Sequence, residues 1–247
     1  MGRLTGKTAV VTGAGRGIGR GVARMFRAAG AEVLGCDINP DTLATLADEE
    51  AGIETLAADL TSEAGAAALA ERAGSLFGRV DILVNAAAIT RFAPIDEMSL
   101  ADWDLTLKGE ISSVFLVTQA LWPLLKQSGR ASIVNFGSAN AHVALNGLPA
   151  IAHTAGKGAV LALTRQLAME GRLHGIRANT IAPGFIVTEE TAQHLDTPLM
   201  REVHAKLMLD RLGTPEDVGH LAVYLGSDES TYVTAADFRI DGGSTAW

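Results

Sequence analysis

The sequence predicts one α/β domain, residues 1–247, with a doubly wound parallel sheet of about seven strands and helices on both of its faces. Three observations support this prediction. A chain of 247 residues has the size of one ordinary domain around a single core. Its 48% hydrophobic and 19% charged residues favour a folded globular protein over a disordered one. Short β-branched runs alternate with longer helical patterns, which is typical of βαβ units.

Short runs rich in apolar residues are the predicted strands. Several are hydrophobic throughout, as strands buried on both faces of a parallel sheet must be. In chain order the predicted strands are Thr8–Thr12, Glu32–Asp37, Ile53–Ala58, Asp81–Asn85, Ser132–Phe136, Arg177–Ala182 and Asp237–Ile240.

Helical patterns occupy most of the intervals between these runs. They cover Gly17–Ala29, Ala64–Phe77, Ala101–Leu125, His153–His174 and Pro215–Leu225. Thr214 is the predicted N-cap of the last helix, and Pro215 is its first residue, where a missing amide proton costs nothing. Residues 188–213 follow a less regular pattern and are a candidate mobile lid over a substrate.

Charge and hydropathy disfavour two classes of partner. The 20 basic and 28 acidic residues give a net charge of −8, which opposes attraction to nucleic-acid phosphates or anionic lipid. Polar residues and Pro123 interrupt the longest apolar stretch, Ile111–Leu125, so it predicts a buried helix rather than a membrane span. We expect neither a nucleic-acid partner nor a membrane partner.

The single cysteine and the N-terminal residues bear on the cellular compartment. Cys36 has no second cysteine with which to form an internal disulfide. The first residues lack the long apolar run of a signal peptide and the pattern of a lipidation motif. We expect a cytoplasmic protein.

A glycine-rich turn, Gly13-Ala-Gly-Arg-Gly-Ile-Gly19, joins the first predicted strand to a helix. Glycines at such a turn let a phosphate approach bare backbone at the helix N-terminus, although the same pattern fits a merely tight turn. Asp37 ends the second strand near the spacing at which a carboxylate binds the adenosine ribose diol and repels a 2′-phosphate. This favours NAD over NADP. Two alternatives stay open: Asp37 is a loop residue or caps a helix beginning near Pro40, and Arg16 binds a phosphate instead.

These motifs and several later ones resemble the short-chain dehydrogenase/reductase family along essentially the whole chain. Thr12-Gly-Ala-Gly-Arg-Gly-Ile-Gly19 is similar to the family's TGxxxGxG turn, and Asn85-Ala-Ala-Ala88 is similar to its NNAG segment, with Ala86 and Ala88 replacing Asn and Gly. Asp59-Leu60 resembles the pair beside the adenine, and Pro183-Gly184 with Thr188 resembles the PGxxxT segment at the nicotinamide. Arg211–Asp217 and Asp241–Gly243 resemble the C-terminal signatures of the family.

The resemblance implies a Rossmann-type fold, a nicotinamide cofactor, a small-molecule alcohol or carbonyl substrate, and a homodimer or homotetramer paired through the two long helices. It also implies a set of cofactor-binding residues. They are Gly13, Arg16, Gly17, Ile18, Gly19, Asp37, Asp59, Leu60, Asn85, Lys157, Pro183, Gly184, Ile186 and Thr188.

Two of the four positions of the family's reactive centre match in this sequence, and two differ. Ser138 matches the serine that orients the substrate, and Lys157 matches the lysine that holds the nicotinamide ribose. Four residues before that lysine, the tyrosine position holds His153, and the asparagine position on the preceding helix aligns with Glu110. Ser138, His153, Lys157 and Glu110 are therefore the candidate catalytic residues.

An imidazole can exchange a proton with a carbinol oxygen, as a phenol does. It reaches less far, however, and a misplacement of about 1 Å can cost on the order of a hundredfold in rate. Glu110 can compensate by pairing with Lys157 or by orienting His153, because a carboxylate stabilises an adjacent imidazolium. Asn140 and His142 lie between Ser138 and His153 and are further candidates for substrate contact.

We expect no metal site, because His142, His153, His194 and Glu110 are dispersed and lack a short ligand spacing. Two functions then remain. The first is an NAD-dependent oxidoreductase that interconverts a secondary alcohol and a ketone, and the retained Ser138, Lys157 and cofactor signature favour it. The alternative, favoured by the loss of the tyrosine, is a redox-impaired relative that acts as a nucleotide-binding or structural subunit or in a non-redox proton transfer.

Overall fold

Parallel strands form one sheet in the computed structural model, which describes residues 2–195 and 197–247. The strands are β1 (Thr8–Thr12), β2 (Glu32–Asp37), β3 (Ile53–Ala57), β4 (Ile82–Asn85), β5 (Ser132–Phe136), β6 (Arg177–Pro183) and β7 (Asp237–Ile240). Their order across the sheet is β3-β2-β1-β4-β5-β6-β7, and every pair is parallel. The predicted doubly wound sheet is confirmed, with strand ends that differ by one residue at most.

Helices cover both faces of this sheet. They are α1 (Gly17–Ala28), α2 (Pro40–Glu49), α3 (Glu63–Phe77), α4 (Leu100–Leu107), α5 (Ser113–Ser128), α6 (Ile151–Gly171), α7 (Pro198–Lys206) and α8 (Pro215–Gly226). One apolar core lies between the sheet and α1, α2 and α8, and a second lies between the sheet and α3, α5 and α6. Alternate strand residues enter the two cores: Val11 packs in the first and Val10 in the second.

The helical stretch predicted over Ala101–Leu125 is confirmed, but one turn within it is not α-helical. A π-helical turn, Lys108–Ser112, separates α4 from α5 and buries Gly109 and Glu110. Gly109 packs so closely on the preceding loop that a β-carbon there would lie 2.6 Å from Cβ of Ile89. Such turns recur at functional sites because they redirect the side chains around them.

The candidate lid, residues 188–213, contains regular structure that the sequence pattern did not predict, namely helix α7. The two ends of this segment lie side by side, because the amide of Val187 donates to the carbonyl of Gly213 at 2.8 Å. Residue 196 of this segment lies outside the described residues. The N-cap prediction for α8 is confirmed, since Thr214 caps it with Pro215 in first position.

The order of the strands positions a site. β1 and β4 are neighbours in the sheet, but the chain leaves β1 towards β2 and returns to β4 from β3. Ligands of open parallel sheets bind at the carboxyl ends of the strands where the order reverses in this way. Along the described part of the chain, the helices are too short or too polar to cross a membrane.

Candidate active site

A cleft of about 760 Å³ opens at the carboxyl ends of β1 and β4. The predicted cofactor residues that line it are Gly13, Arg16, Gly17, Ile18, Gly19, Asp37, Asp59, Leu60, Gly184, Ile186 and Thr188. Asn85 does not line the cleft, because its side-chain amide is buried and donates to Asn135 Oδ1 at 2.8 Å. Lys157 is buried and does not line the cleft, and Pro183 lines the neighbouring pocket.

The glycine turn fits a pyrophosphate group. Gly13 has φ of +67°, and a β-carbon there would lie 2.8 Å from the amide nitrogen of Ala87, so only glycine suits the position. Arg16 is the N-cap residue of α1, yet its side chain makes no capping hydrogen bond. The first amides of α1 are therefore left to an anion in the cleft.

Asp37 lies at the cleft wall and has two backbone partners. Its Oδ2 accepts from the amide of Gly15 at 3.0 Å, and its Oδ1 accepts from the amide of Asn39 at 3.1 Å. The alternative that Asp37 caps the next helix is wrong, because Asn39 caps α2 with its own side chain. Arg16 Nη1 lies 3.3 Å from Glu190 Oε2, and both side chains are largely exposed.

The adenine end of the predicted site contains Asp59. Its Oδ1 accepts from the amide of Thr61 at 2.9 Å and from the hydroxyl of Thr61 at 2.7 Å. These hydrogen bonds hold the pKa of Asp59 below its ordinary value. Leu60 beside it is 5% exposed and offers an apolar wall to a base.

Four side chains from distant parts of the chain meet where β5 ends. Ser138 follows β5, Glu110 comes from the π-helical turn, and His153 and Lys157 lie one turn apart on α6. His153 Nε2 lies 3.3 Å from Ser138 Oγ, and His153 Nδ1 lies 2.5 Å from Glu110 Oε1. Lys157 Nζ donates to the carbonyl of Phe136 at 3.2 Å.

The surroundings of Glu110 determine the charge at this centre. Its side chain is fully buried, Oε1 also accepts from Thr90 Oγ1 at 2.8 Å, and Oε2 has no hydrogen-bond partner among the described residues. A carboxylate accepts hydrogen bonds and cannot donate, so Nδ1 of His153 carries the proton. Nε2 is then free to accept a proton from Ser138 or from an alcohol.

Lys157 is buried beside this carboxylate. Burial lowers the pKa of Lys157, and the negative charge of Glu110 opposes that effect. The ammonium group therefore depends on Glu110 for part of its stabilisation. Glu110 is placed to act on both His153 and Lys157.

A smaller pocket of about 180 Å³ adjoins the reactive centre and is lined by Ser138 and His153. Gly184 and Phe185 line both this pocket and the large cleft, so the two spaces meet there. Its apolar lining includes Leu145, Leu148, Phe185 and Leu199, and its polar lining includes Asn140, Asn146, Glu202, Lys206 and Ser244.

Several pocket residues were missed by the sequence reasoning. Glu202 and Lys206 project from one face of α7, and their spacing of four residues was the available signal. Asn146 Nδ2 donates to Glu202 Oε1 at 3.1 Å. The indole of Trp247 donates to the carbonyl of Lys206 at 3.1 Å and so ties the C-terminal residue to α7.

The remaining histidines differ from one another in their surroundings. Asn140 lines the pocket, but His142 instead pairs with Asp237 at 2.8 Å. The side chain of His194 lies outside the described residues. Across residues 2–195 and 197–247, no three His, Cys, Asp or Glu residues lie close enough to hold a metal ion.

Known proteins similar to this chain are named as oxidoreductases. A family model described as enoyl-(acyl carrier protein) reductase matches residues 13–245. The D-threitol dehydrogenase of Mycolicibacterium smegmatis is 36% identical to this chain, over 98% of this chain and 94% of the relative. The 2-dehydro-3-deoxy-D-gluconate 5-dehydrogenase of Dickeya dadantii is 35% identical, over 97% and 96% of the two chains.

A solved structure gives the same result for the fold. It is a candidate NAD(P) dependent gluconate 5-dehydrogenase from Beutenbergia cavernae with NADP bound at low occupancy. The TM-score is 0.90 and the identity is 36%, over 99% of this chain and 98% of that chain.

Proposed function

The chain belongs to the short-chain dehydrogenase/reductase family, and from this membership we propose that it is an NAD-dependent oxidoreductase that interconverts a secondary alcohol and a ketone. The observation that carries the proposal is the hydrogen-bonded series Ser138, His153 and Glu110. It lies beside the pocket that joins the nucleotide cleft.

In the proposed reaction, Ser138 holds the substrate oxygen and His153 Nε2 takes the hydroxyl proton. Glu110 keeps the imidazole in the tautomer that leaves Nε2 free, and its charge stabilises the imidazolium that forms. Lys157 would hold the nicotinamide ribose. When bound, the nicotinamide dinucleotide supplies the two-electron redox chemistry.

The same centre explains how a histidine can stand at the tyrosine position. A tyrosine has one polar atom, whereas His153 has two ring nitrogens on different edges. One nitrogen is held by Glu110 at 2.5 Å, so the other points at Ser138. The carboxylate thus fixes the orientation of the shorter side chain, which limits the misplacement that would slow the reaction.

The proposed preference for NAD rests on Asp37. Its carboxylate lies at the cleft wall, where it can accept hydrogen bonds from a ribose diol and repel a 2′-phosphate. The Beutenbergia cavernae relative was solved with NADP, so the preference of this chain has to be tested at Asp37 itself.

The proposed substrate is a small polyhydroxylated alcohol or the corresponding ketone. Amide, carboxylate and ammonium groups of Asn146, Glu202 and Lys206 line a pocket of about 180 Å³ and can bind several hydroxyl groups. The names of the Mycolicibacterium smegmatis and Dickeya dadantii relatives refer to a polyol and to a sugar-acid derivative.

A homodimer or homotetramer is part of the proposal, as is a cytoplasmic location. Large apolar side chains stay exposed on the two long helices, namely Phe115 on α5 and Met169 on α6. Association through these helices would remove that apolar surface from water.

A second candidate function is a redox-impaired relative that binds nucleotide in a structural role or catalyses a non-redox proton transfer. The absence of a tyrosine at position 153 favours it. The two candidate functions predict different effects of substitutions at residue 153 on the rate of alcohol oxidation.

The test compares the parent protein with His153→Ala and His153→Tyr. Nicotinamide absorbance is followed in both directions over a panel of polyols, sugar acids, simple secondary alcohols and ketones. We expect the parent to turn over and His153→Ala to lose about a hundredfold or more, as removal of a general base does. His174→Ala, at an exposed histidine, is the matched control. Turnover by His153→Tyr alone would instead support the second candidate.

A further inference from the structure

Ser138, His153 and Glu110 have an order and a spacing that alcohol oxidation does not require. The serine hydroxyl faces one ring nitrogen at 3.3 Å, and the carboxylate faces the other at 2.5 Å. Serine, imidazole and carboxylate in this order form the triad by which hydrolases activate a serine nucleophile. A tyrosine at position 153 would offer one oxygen to both partners, whereas the imidazole offers a separate nitrogen to each.

Neighbouring side chains hold the carboxylate and the imidazole of this series in place. Glu110 is fully buried, and the side chain of His153 is 16% exposed. The ring of Phe92 packs edge-on against the imidazole, with 5.7 Å between the ring centroids. A buried carboxylate that is also held by Thr90 keeps its position while the imidazole becomes positive.

Asn140 can stabilise the negative charge that develops in acyl transfer. Its backbone amide donates to Ser138 Oγ at 3.2 Å, which favours loss of the hydroxyl proton. Its side chain is 6% exposed, lines the same pocket and makes no hydrogen bond within the described part of the chain. A side-chain amide in this position can donate to an oxyanion.

From this geometry we propose that the protein is also a cofactor-independent esterase for small esters with a short apolar acyl group. The pocket beside Ser138 has a volume of about 180 Å³, and Leu145, Leu148 and Phe185 give it an apolar wall. A pocket of this size has room for a short acyl chain.

The proposed reaction has two balanced steps. Ser138 Oγ attacks the ester carbonyl carbon and gives its proton to His153 Nε2, and the bond to the alcohol oxygen then breaks as that oxygen takes the proton. Water next attacks the acyl carbon and gives a proton to His153, and Ser138 leaves with that proton. The products are a carboxylic acid and an alcohol, and nothing is oxidised or reduced.

The test uses p-nitrophenyl butyrate and the whole protein without nicotinamide. We expect release of p-nitrophenolate, and we expect Ser138→Ala and His153→Ala to lower kcat by about a hundredfold or more, or to the rate in buffer. His174→Ala is the control for unspecific hydrolysis by exposed histidines. Hydrolysis that survives Ser138→Ala would overturn the proposal.

Two further measurements separate the nucleophile from a structural effect. A fluorophosphonate probe should label the unmodified protein at Ser138, as peptide mass spectrometry can show, and labelling elsewhere would also overturn the proposal. Glu110 is a positioning residue, so Glu110→Gln should lower kcat while KM stays the same. A change in KM alone would contradict this role.

Failure of this proposal is distinguishable from failure of the proposed oxidoreductase. We expect His153→Tyr to lose ester hydrolysis, which is measured without nicotinamide, whereas alcohol oxidation needs the nicotinamide and is measured separately. Ester hydrolysis by His153→Tyr at the parent rate would refute the triad and leave the oxidoreductase proposal untouched.

Discussion

Gly156 on α6 offers a test of whether the position of Glu110 determines the rate. A methyl group at residue 156 would lie 2.5 Å from Glu110 Oε2 and 3.2 Å from Glu110 Cβ. A relaxed carbon-to-oxygen contact needs about 3.3 Å, so Gly156→Ala must displace the carboxylate by about 0.8 Å. Because Glu110 is fully buried, this displacement disturbs its 2.5 Å contact with His153.

The expected effects on stability and on rate differ in size. Overpacking costs about 1–3 kcal/mol, and alanine in place of a helical glycine returns about 1 kcal/mol. The free energy of unfolding should therefore fall by at most about 2 kcal/mol, which leaves the fold intact. A catalytic group misplaced by about 1 Å loses on the order of a hundredfold in rate, and we expect kcat of alcohol oxidation to fall by that amount.

The assay follows nicotinamide absorbance for kcat and urea unfolding for stability. Gly158→Ala is the matched control, since nothing lies within 4 Å of a β-carbon at that position on the same helix. It should gain about 1 kcal/mol of stability and keep its activity. A Gly156→Ala protein with the parent kcat would refute the role of Glu110, and equal losses in both variants would attribute the effect to the helix instead.

Three other changes test the cofactor site, the charge at the centre and a helix terminus. Asp37→Ala should shift the ratio of NAD to NADP affinity by about 10–100-fold towards NADP, since a hydrogen bond to a charged group is worth about 1.5–3 kcal/mol. Fluorescence titration with both dinucleotides measures this ratio, and an unchanged ratio contradicts the role of Asp37. Glu110→Gln removes the charge that raises the pKa of Lys157, so the ammonium group should lose its proton at lower pH. The alkaline fall of kcat should then move to lower pH, and an unmoved profile would exclude this coupling. Thr214→Ala removes the capping box of α8 formed with Asp217 and should lower the free energy of unfolding by about 1 kcal/mol. Thr214→Ser keeps a capping hydroxyl and should retain the stability of the parent. Chemical denaturation of both variants measures the difference.

Much of the nucleotide cleft was predictable because its signals are local in the chain. The turn Gly13–Gly19 lies between a strand and a helix. Its first residue, Gly13, has a positive φ and packs against the backbone of Ala86 and Ala87, so a glycine is required there. Asp37 follows from its place at the end of a strand, since parallel strands end at one edge of the sheet. The capping of α8 by Thr214 was also predictable from the sequence, because an N-cap side chain bonds to backbone amides within one turn.

Other features depend on contacts that sequence spacing does not report. Asn85 belongs to a recognised segment, but its buried side-chain amide donates to Asn135 on β5 and to Thr118 on α5. Helix α7 falls in a segment without a clear pattern, and its residues become pocket residues only because the segment folds back over Ser138. The π-helical turn Lys108–Ser112 has no sequence period of its own.

By itself, the sequence determined the parallel α/β fold, the glycine turn and the presence of His153 one helical turn before Lys157, because strand and helix periods and motif residues act over short stretches. Only the tertiary structure decided that Glu110 and Ser138 face opposite nitrogens of one imidazole, since these three residues come from three separate elements. The physical reason is that a hydrogen bond depends on distances of tenths of an ångström. Such distances are set by how the π-helical turn, α6 and the end of β5 pack together.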